Sequence, residues 1–153
     1  MRIKIKPNVP LKMSAIAQTP ARVKIRARDL QSIVDEPVER GGSNLGFTPT
    51  ETMLGALIGC TNVIANRLAS EIGISLSEME ISLTADFNRL GAMLVEEIEQ
   101  PFSNVIMNIS VTSDGNVEQL EWLKASLAKY CPVAKVLRNS GINIQEIWSV
   151  TQI

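Results

Sequence analysis

The chain has 153 residues, 45% of them hydrophobic, with 15 basic and 16 acidic side chains, a formal net charge of −1 and no histidine. That length suits one domain with a proper core rather than two, and the charge balance gives no electrostatic case for nucleic acid or for an anionic membrane surface. Without histidine, Ser-His-Asp, Cys-His and zinc-hydrolase chemistries fall away together, which leaves thiol, carboxylate and guanidinium.

A single domain over 1–153 is therefore expected. The apolar run Met53 to Ile58 is far short of the ~20 residues that cross a bilayer, and "MRIKIKPNVP" lacks the apolar core of a signal peptide. The expected location is the cytoplasm. The two cysteines, Cys60 and Cys131, are far apart and form no C-x-x-C pair, so neither a disulfide scaffold nor a structural zinc site is expected, and no metal or cofactor is called for.

In chain order, "KMSAIAQ", "ARVKIRA" and "QSIVDE" are short and β-branched, separated by Thr19-Pro20 and by Arg28-Asp29-Leu30; they read as a meander of strands. The polar loop "ERGGSNLGF" leads to Thr48-Pro49-Thr50-Glu51, where Thr48 is placed to cap a helix, Pro49 to be its first residue and Glu51 to complete a capping box. That helix should run to about Glu71 and end at Gly73. Its apolar residues, from Met53 through Leu68, occupy nearly every face, which predicts burial on every side.

Next, "MEISLTADF" and "NVIMNISV" alternate as half-buried strands, and Leu90 to Pro101 between them has no clear period. Asn116 or Ser113 can cap a helix through "VEQLEWLKASLAKY". Pro132 cannot continue that helix but suits the first turn of another, so "CPVAKVLRN" reads as a new helix with Cys131 at its N-cap. "GINIQEIWSV" closes the chain as a strand.

The thiolate is the reactive form of cysteine, and it needs a helix N-terminus or a cation to form at neutral pH. Cys131 stands at a helix start, yet it is also a small residue at a kink. Cys60 stands three turns into its helix, where the dipole helps little. Read alone it is a core cysteine, and activating it would take a cation such as Arg22, Arg26, Arg28 or Arg40. Glu51 precedes Cys60 by nine residues, about 180° around a helix, which suits a cap better than a catalytic carboxylate. Local reading therefore leaves both cysteines open between reactive thiol and core filler.

Taken together, "DEPVERGGSNLGFTPTETMLGALIGCT" and, some seventy residues on, "KYCPVAKVLRN" resemble the OsmC/Ohr family over most of Asp35 to Asn139. The resemblance implies an α+β, OsmC-like fold: a β meander, a long buried central helix, two strands, two helices and a final strand, in an intertwined homodimer. It implies a peroxidase in which Cys60 attacks an organic, possibly lipid, hydroperoxide to give a sulfenic acid. Cys131 resolves that acid as a disulfide, and an external dithiol or lipoyl-type reductant restores both thiols. The family's activating arginine has its nearest match in Arg28. Its carboxylate directly follows the helix-starting proline, where this chain has Thr50, with Glu51 one residue later. That departure resembles the less characterised OsmC-like branches. It leaves a second reading open: a binding or redox-sensing protein on the same fold, without peroxidase turnover.

Overall fold

A computed structural model describes residues 5–153, which divide into two compact units with their boundary inside a helix, between Met53 and Leu54. The first unit holds a three-stranded antiparallel meander, β1 (Ser14–Ala17), β2 (Val23–Ala27) and β3 (Leu30–Val34), in that spatial order. Ala27 pairs with Leu30, so Arg28 and Asp29 form the two-residue hairpin turn. Arg28 takes a left-handed φ of 56°, as tight hairpins require.

A single 3₁₀ turn, Val38–Arg40, follows and ends on Gly41 at φ 83°. The next residue, Gly42, lies so close to the Glu36 carbonyl that any Cβ would run into it. The paired glycines therefore do different jobs: one supplies a left-handed conformation, the other a close backbone approach. Thr48 then starts α1 (Pro49–Glu71) as expected. The Thr48 N–H donates to Glu51 Oε2 at 2.8 Å, and the Glu51 N–H donates to Thr48 Oγ1 at 3.2 Å. These two bonds are the reciprocal capping box.

In the second unit, β4 (Leu76–Phe87), β5 (Phe102–Ser113) and β6 (Asn143–Gln152) form a sheet with β5 in the centre. β4 runs antiparallel to β5, whereas β6 runs parallel to it over ten paired positions, from Asn104↔Asn143 to Ser113↔Gln152. A parallel pair needs a long crossover, supplied here by α2 (Val117–Tyr130) and α3 (Pro132–Asn139). Asn116, rather than Ser113, caps α2, in a capping box with Gln119.

Alternation on β5 buries Phe102, Val105, Met107, Ile109 and Val111, while the residues between them face out. Helices contribute Leu57, Ala65 and Leu68 from α1, Leu120, Leu123 and Leu127 from α2, and Ala134 and Leu137 from α3 to the buried apolar set. On α1, burial is confined to the stripe Leu57, Thr61, Ala65, Leu68 and Ala69, spaced by about one turn. Burial on every side is thus met on one side only within the protomer. Gly55, Ala56, Gly59, Asn62 and Val63 are exposed.

The stretch without clear period, Leu90 to Pro101, is a set of hydrogen-bonded turns. The Met93 N–H donates to the Arg89 carbonyl and the Val95 N–H to the Leu90 carbonyl, both at 3.0 Å. Among the described residues no helix is long and apolar enough to cross a membrane. Because Gly42 has no room for a side chain, Gly42→Ala should lower unfolding free energy by about 2 kcal/mol or more. The midpoint of urea denaturation measures it, and an unchanged midpoint would show that the loop can shift at little cost.

Candidate active site around the two cysteines

Pro132 lacks the N–H that would extend α2, so the helix stops at Tyr130 and Cys131 serves both helices. The Cys131 N–H donates to the Leu127 carbonyl, closing α2. Its own carbonyl accepts from the Lys135 N–H, opening α3; each bond is 3.0 Å. With its backbone held from both sides, Cys131 is 0% exposed.

Cys60, on α1, is partly buried, and both cysteines are reduced. The two thiols lie close enough for Cys60 to affect the proton affinity of Cys131. The Cys131 pKa is pushed up to about 11, first by burial and further by Cys60. The Ala134 and Val133 amides at the start of α3 pull it the other way. Neither amide closes a capping hydrogen bond on the sulfur, and the helix start loses to burial. The expectation that α3 would favour a Cys131 thiolate is therefore outweighed by desolvation, and Cys131 is a neutral thiol near pH 7.

A different charge network sits in the first unit. Asp35 is 0% exposed and accepts the N–H groups of Glu36 (2.9 Å), Ser43 (3.1 Å) and Leu45 (3.2 Å). Burial works against its charge, but those three amides and the Arg22 guanidinium outweigh it and hold the Asp35 pKa below its ordinary value. Arg22 also donates to Ser43 Oγ at 2.8 Å. One carboxylate thus gathers the amides of the glycine loop that leads into α1. The sign of it in the sequence is an acid directly after the apolar strand "SIV", ahead of "ERGGS".

Glu51 is exposed, and its pKa is lowered chiefly by the Thr48 N–H and hydroxyl, with a smaller contribution from the Arg40 charge. Arg40 itself pairs with Glu36 at 2.9 Å. Thr50, which stands directly after Pro49, lies 3.1 Å from Thr48 hydroxyl to hydroxyl, inside the same capping network. Arg28 is exposed at its hairpin turn. Of the arginines considered from the sequence, Arg22 acts on Asp35 and Arg40 on Glu51. No group of three or more acidic, cysteine or histidine side chains among the described residues could hold a metal ion.

The family model for OsmC-like proteins matches residues 41–146, so the chain belongs to the OsmC-like family. No curated protein matches it by sequence. Among solved structures it is similar to an OsmC-like protein from Mycoplasma pneumoniae, at 14% identity and TM-score 0.73, covering 95% of this chain and 99% of that one. It is also similar to an organic hydroperoxide resistance protein OsmC from Legionella pneumophila, at 18% identity and TM-score 0.62, with coverage of 95% and 99%. A third, an organic hydroperoxide resistance protein from Elizabethkingia anophelis, shares 15% identity at TM-score 0.62, with coverage of 97% and 100%. At these identities the likeness is one of fold: mixed α+β, with the element order described above.

Iodoacetamide added to the reduced native protein at pH 8 should alkylate Cys60 and spare Cys131 until denaturant is added. Intact mass and peptide mapping read the result, and early labelling of Cys131 would contradict its burial. Asp35 binds its proton more weakly folded than unfolded, so its contribution to stability is present above its ordinary value of 3.8 and is lost as pH falls through the depressed folded value. Asp35→Asn should therefore flatten the acid limb of the stability curve below about pH 4. Denaturant melts across pH 2 to 6 would test this, and equal slopes in both proteins would exclude Asp35 as the titrating group.

Proposed function

We propose that the protein is a thiol-dependent peroxidase acting on organic hydroperoxides, with Cys60 as the attacking sulfur and Cys131 as the resolving one. The observation that carries this reading is the direct neighbourhood of the two thiols, one partly exposed and the other buried and neutral. Membership of the OsmC-like family supports it, as do structural neighbours named organic hydroperoxide resistance proteins.

In the first step the Cys60 thiolate attacks the terminal peroxide oxygen. An S–O bond forms, the O–O bond breaks, and the departing alkoxide takes a proton to become an alcohol. Sulfur is oxidised to sulfenic acid and the peroxide is reduced. Cys131, buried and protonated near Cys60, is held in reserve for the second step. There Cys131 attacks the sulfenic sulfur, an S–S bond forms and the S–O bond breaks. The hydroxyl leaves as water with the Cys131 proton. An external dithiol of the lipoyl type returns both cysteines to thiols by exchange and is itself oxidised to a disulfide.

We read the assembly as a homodimer. The outward side of α1, with Gly55, Ala56, Gly59 and Val63, offers a second copy a surface of small and apolar residues. Glu51 and Thr48 act in this reading as the frame of the α1 start. Arg28 is kept as the sequence-based candidate for the activating guanidinium. Thr50 in the family's acid position favours a second reading, a binding or redox-sensing protein on the same fold without peroxidase turnover.

Cys60→Ser should abolish dithiol-dependent consumption of cumene hydroperoxide. Cys131→Ser should leave a Cys60 sulfenic acid that dimedone traps, seen as a mass increase. Equal turnover in wild type and Cys60→Ser would overturn the peroxidase. One equivalent of peroxide consumed, with no recycling by any dithiol, would establish the sensor.

A further inference from the structure

The formal charge of −1 conceals a segregation along the chain. Eight basic residues precede the first acid, Asp29, and from there on all 16 acidic side chains stand against seven basic ones. A total near zero does not describe a face that carries one sign only. The basic stretch folds into the meander, and the sheet decides which of its side chains come together.

Alternation sorts the three strands onto two faces. On one face Ile25 pairs with Ala15 and Ser32, Val23 pairs with Ala17 and Val34, and no charged side chain of the strands falls there. On the other, Arg26 pairs with Ser14 and Gln31, and Lys24 with Ile16 and Ile33. Arg26 is exposed and Lys24 half-buried, and among the described residues no carboxylate lies within ion-pair distance of either. Lys12, two residues before Ser14, is exposed on the approach to β1. The acids of this unit that lie close by are engaged elsewhere: Asp35 faces Arg22, and Asp29 sits beside Arg28 at the hairpin tip.

Lys24 and Arg26 stand two residues apart on one extended strand, about 6.8 Å along it. Successive phosphates of an extended single strand can be met one by one at such a spacing. The three strands together are about 10 Å across, narrower than the groove of about 12 Å that parts the two backbones of a duplex. Ser14 and Gln31 flank Arg26 with uncharged hydrogen-bonding groups, and no aromatic side chain lies on the three strands for a base to stack on. A lipid surface would ask for apolar side chains projecting with the cations, and on this face Ile16 is the one large apolar side chain that is exposed.

We propose that the cationic face of the meander binds single-stranded nucleic acid through its phosphates, without reading its bases. Lys24 and Arg26 hold the backbone along β2, and Lys12 adds a third charge from the side of β1. Such binding is weak, driven by counterion release and steeply dependent on salt. It does not depend on the chemistry proposed for Cys60.

Fluorescence anisotropy of a labelled oligothymidylate, titrated with the full chain at several salt concentrations, tests this. Wild type should bind with a log–log salt slope of about −2, and Lys24→Gln/Arg26→Gln should bind about tenfold more weakly at low salt with a slope of about −1 or shallower. Lys129→Gln/Lys135→Gln removes the same charge from exposed positions of α2 and α3 and should bind as wild type does. The charge-conserving pair Lys24→Arg/Arg26→Lys should keep its affinity within about twofold. Thermal melts should match wild type for all three. Equal losses in the two neutralised pairs would reduce the effect to net charge and overturn the face. No binding by wild type at low salt, or equal affinity for polyglutamate or for phosphatidylglycerol vesicles, would overturn the assignment to nucleic acid.

Discussion

The arrangement of the thiols depends on a missing hydrogen. Pro132 has no N–H, so α2 cannot pass through it, and the chain must break and restart one residue earlier. Cys131 inherits that break: it is the last bonded residue of one helix and the cap of the next. A residue held by two helices cannot move its backbone without disturbing both, so the position of Cys131 in the fold is set by the helix break. Burial then decides its protonation, and the favourable amides of α3 are too few to reverse that.

α1 shows a different economy. One stripe at single-turn spacing makes its contacts with the core, and Thr61 donates to the Met107 sulfur at 3.8 Å within that stripe. Elsewhere the helix carries small or apolar side chains that the protomer leaves uncovered. One helix therefore divides its circumference among a core face, a thiol, a groove wall and an outward face. Such a division demands a helix of regular pitch, and the capping box at Thr48 and Glu51 is what starts it in register.

Much of this was legible beforehand, for identifiable reasons. Thr48-Pro49-Thr50-Glu51 and Asn116 to Gln119 announce helix starts because their side chains must satisfy specific amides. Strict alternation marked the buried face of β5, and Pro132 marked the break at Cys131. Less legible were the features that depend on chain segments meeting. Asp35 gathers amides eight and ten residues away, which no local period encodes. Apolar residues on all faces of α1 say what the helix tolerates, not what covers it, and one protomer covers a single stripe of them. The groove that Ile64, Arg67 and Leu68 of α1 share with Trp122 and Tyr130 of α2 exists only once the two helices have met. The preference of Cys131 for its proton likewise follows from depth in the fold, which a helix-start motif does not reveal.

The parallel pairing of β5 with β6 also bears on the burial of Cys131. α2 and α3 lie between those strands, and Arg138 of α3 fastens to Glu146 of β6 at 2.8 Å. Cys131 therefore sits inside a loop that closes only when β6 settles onto β5, a pairing that joins positions nearly forty residues apart. Both helices that hold Cys131 belong to the crossover between those two strands. The same crossover that shapes the sheet thus ties the burial of one thiol to a pairing between distant parts of the chain, so that losing the β5–β6 pairing would release the segment that holds Cys131.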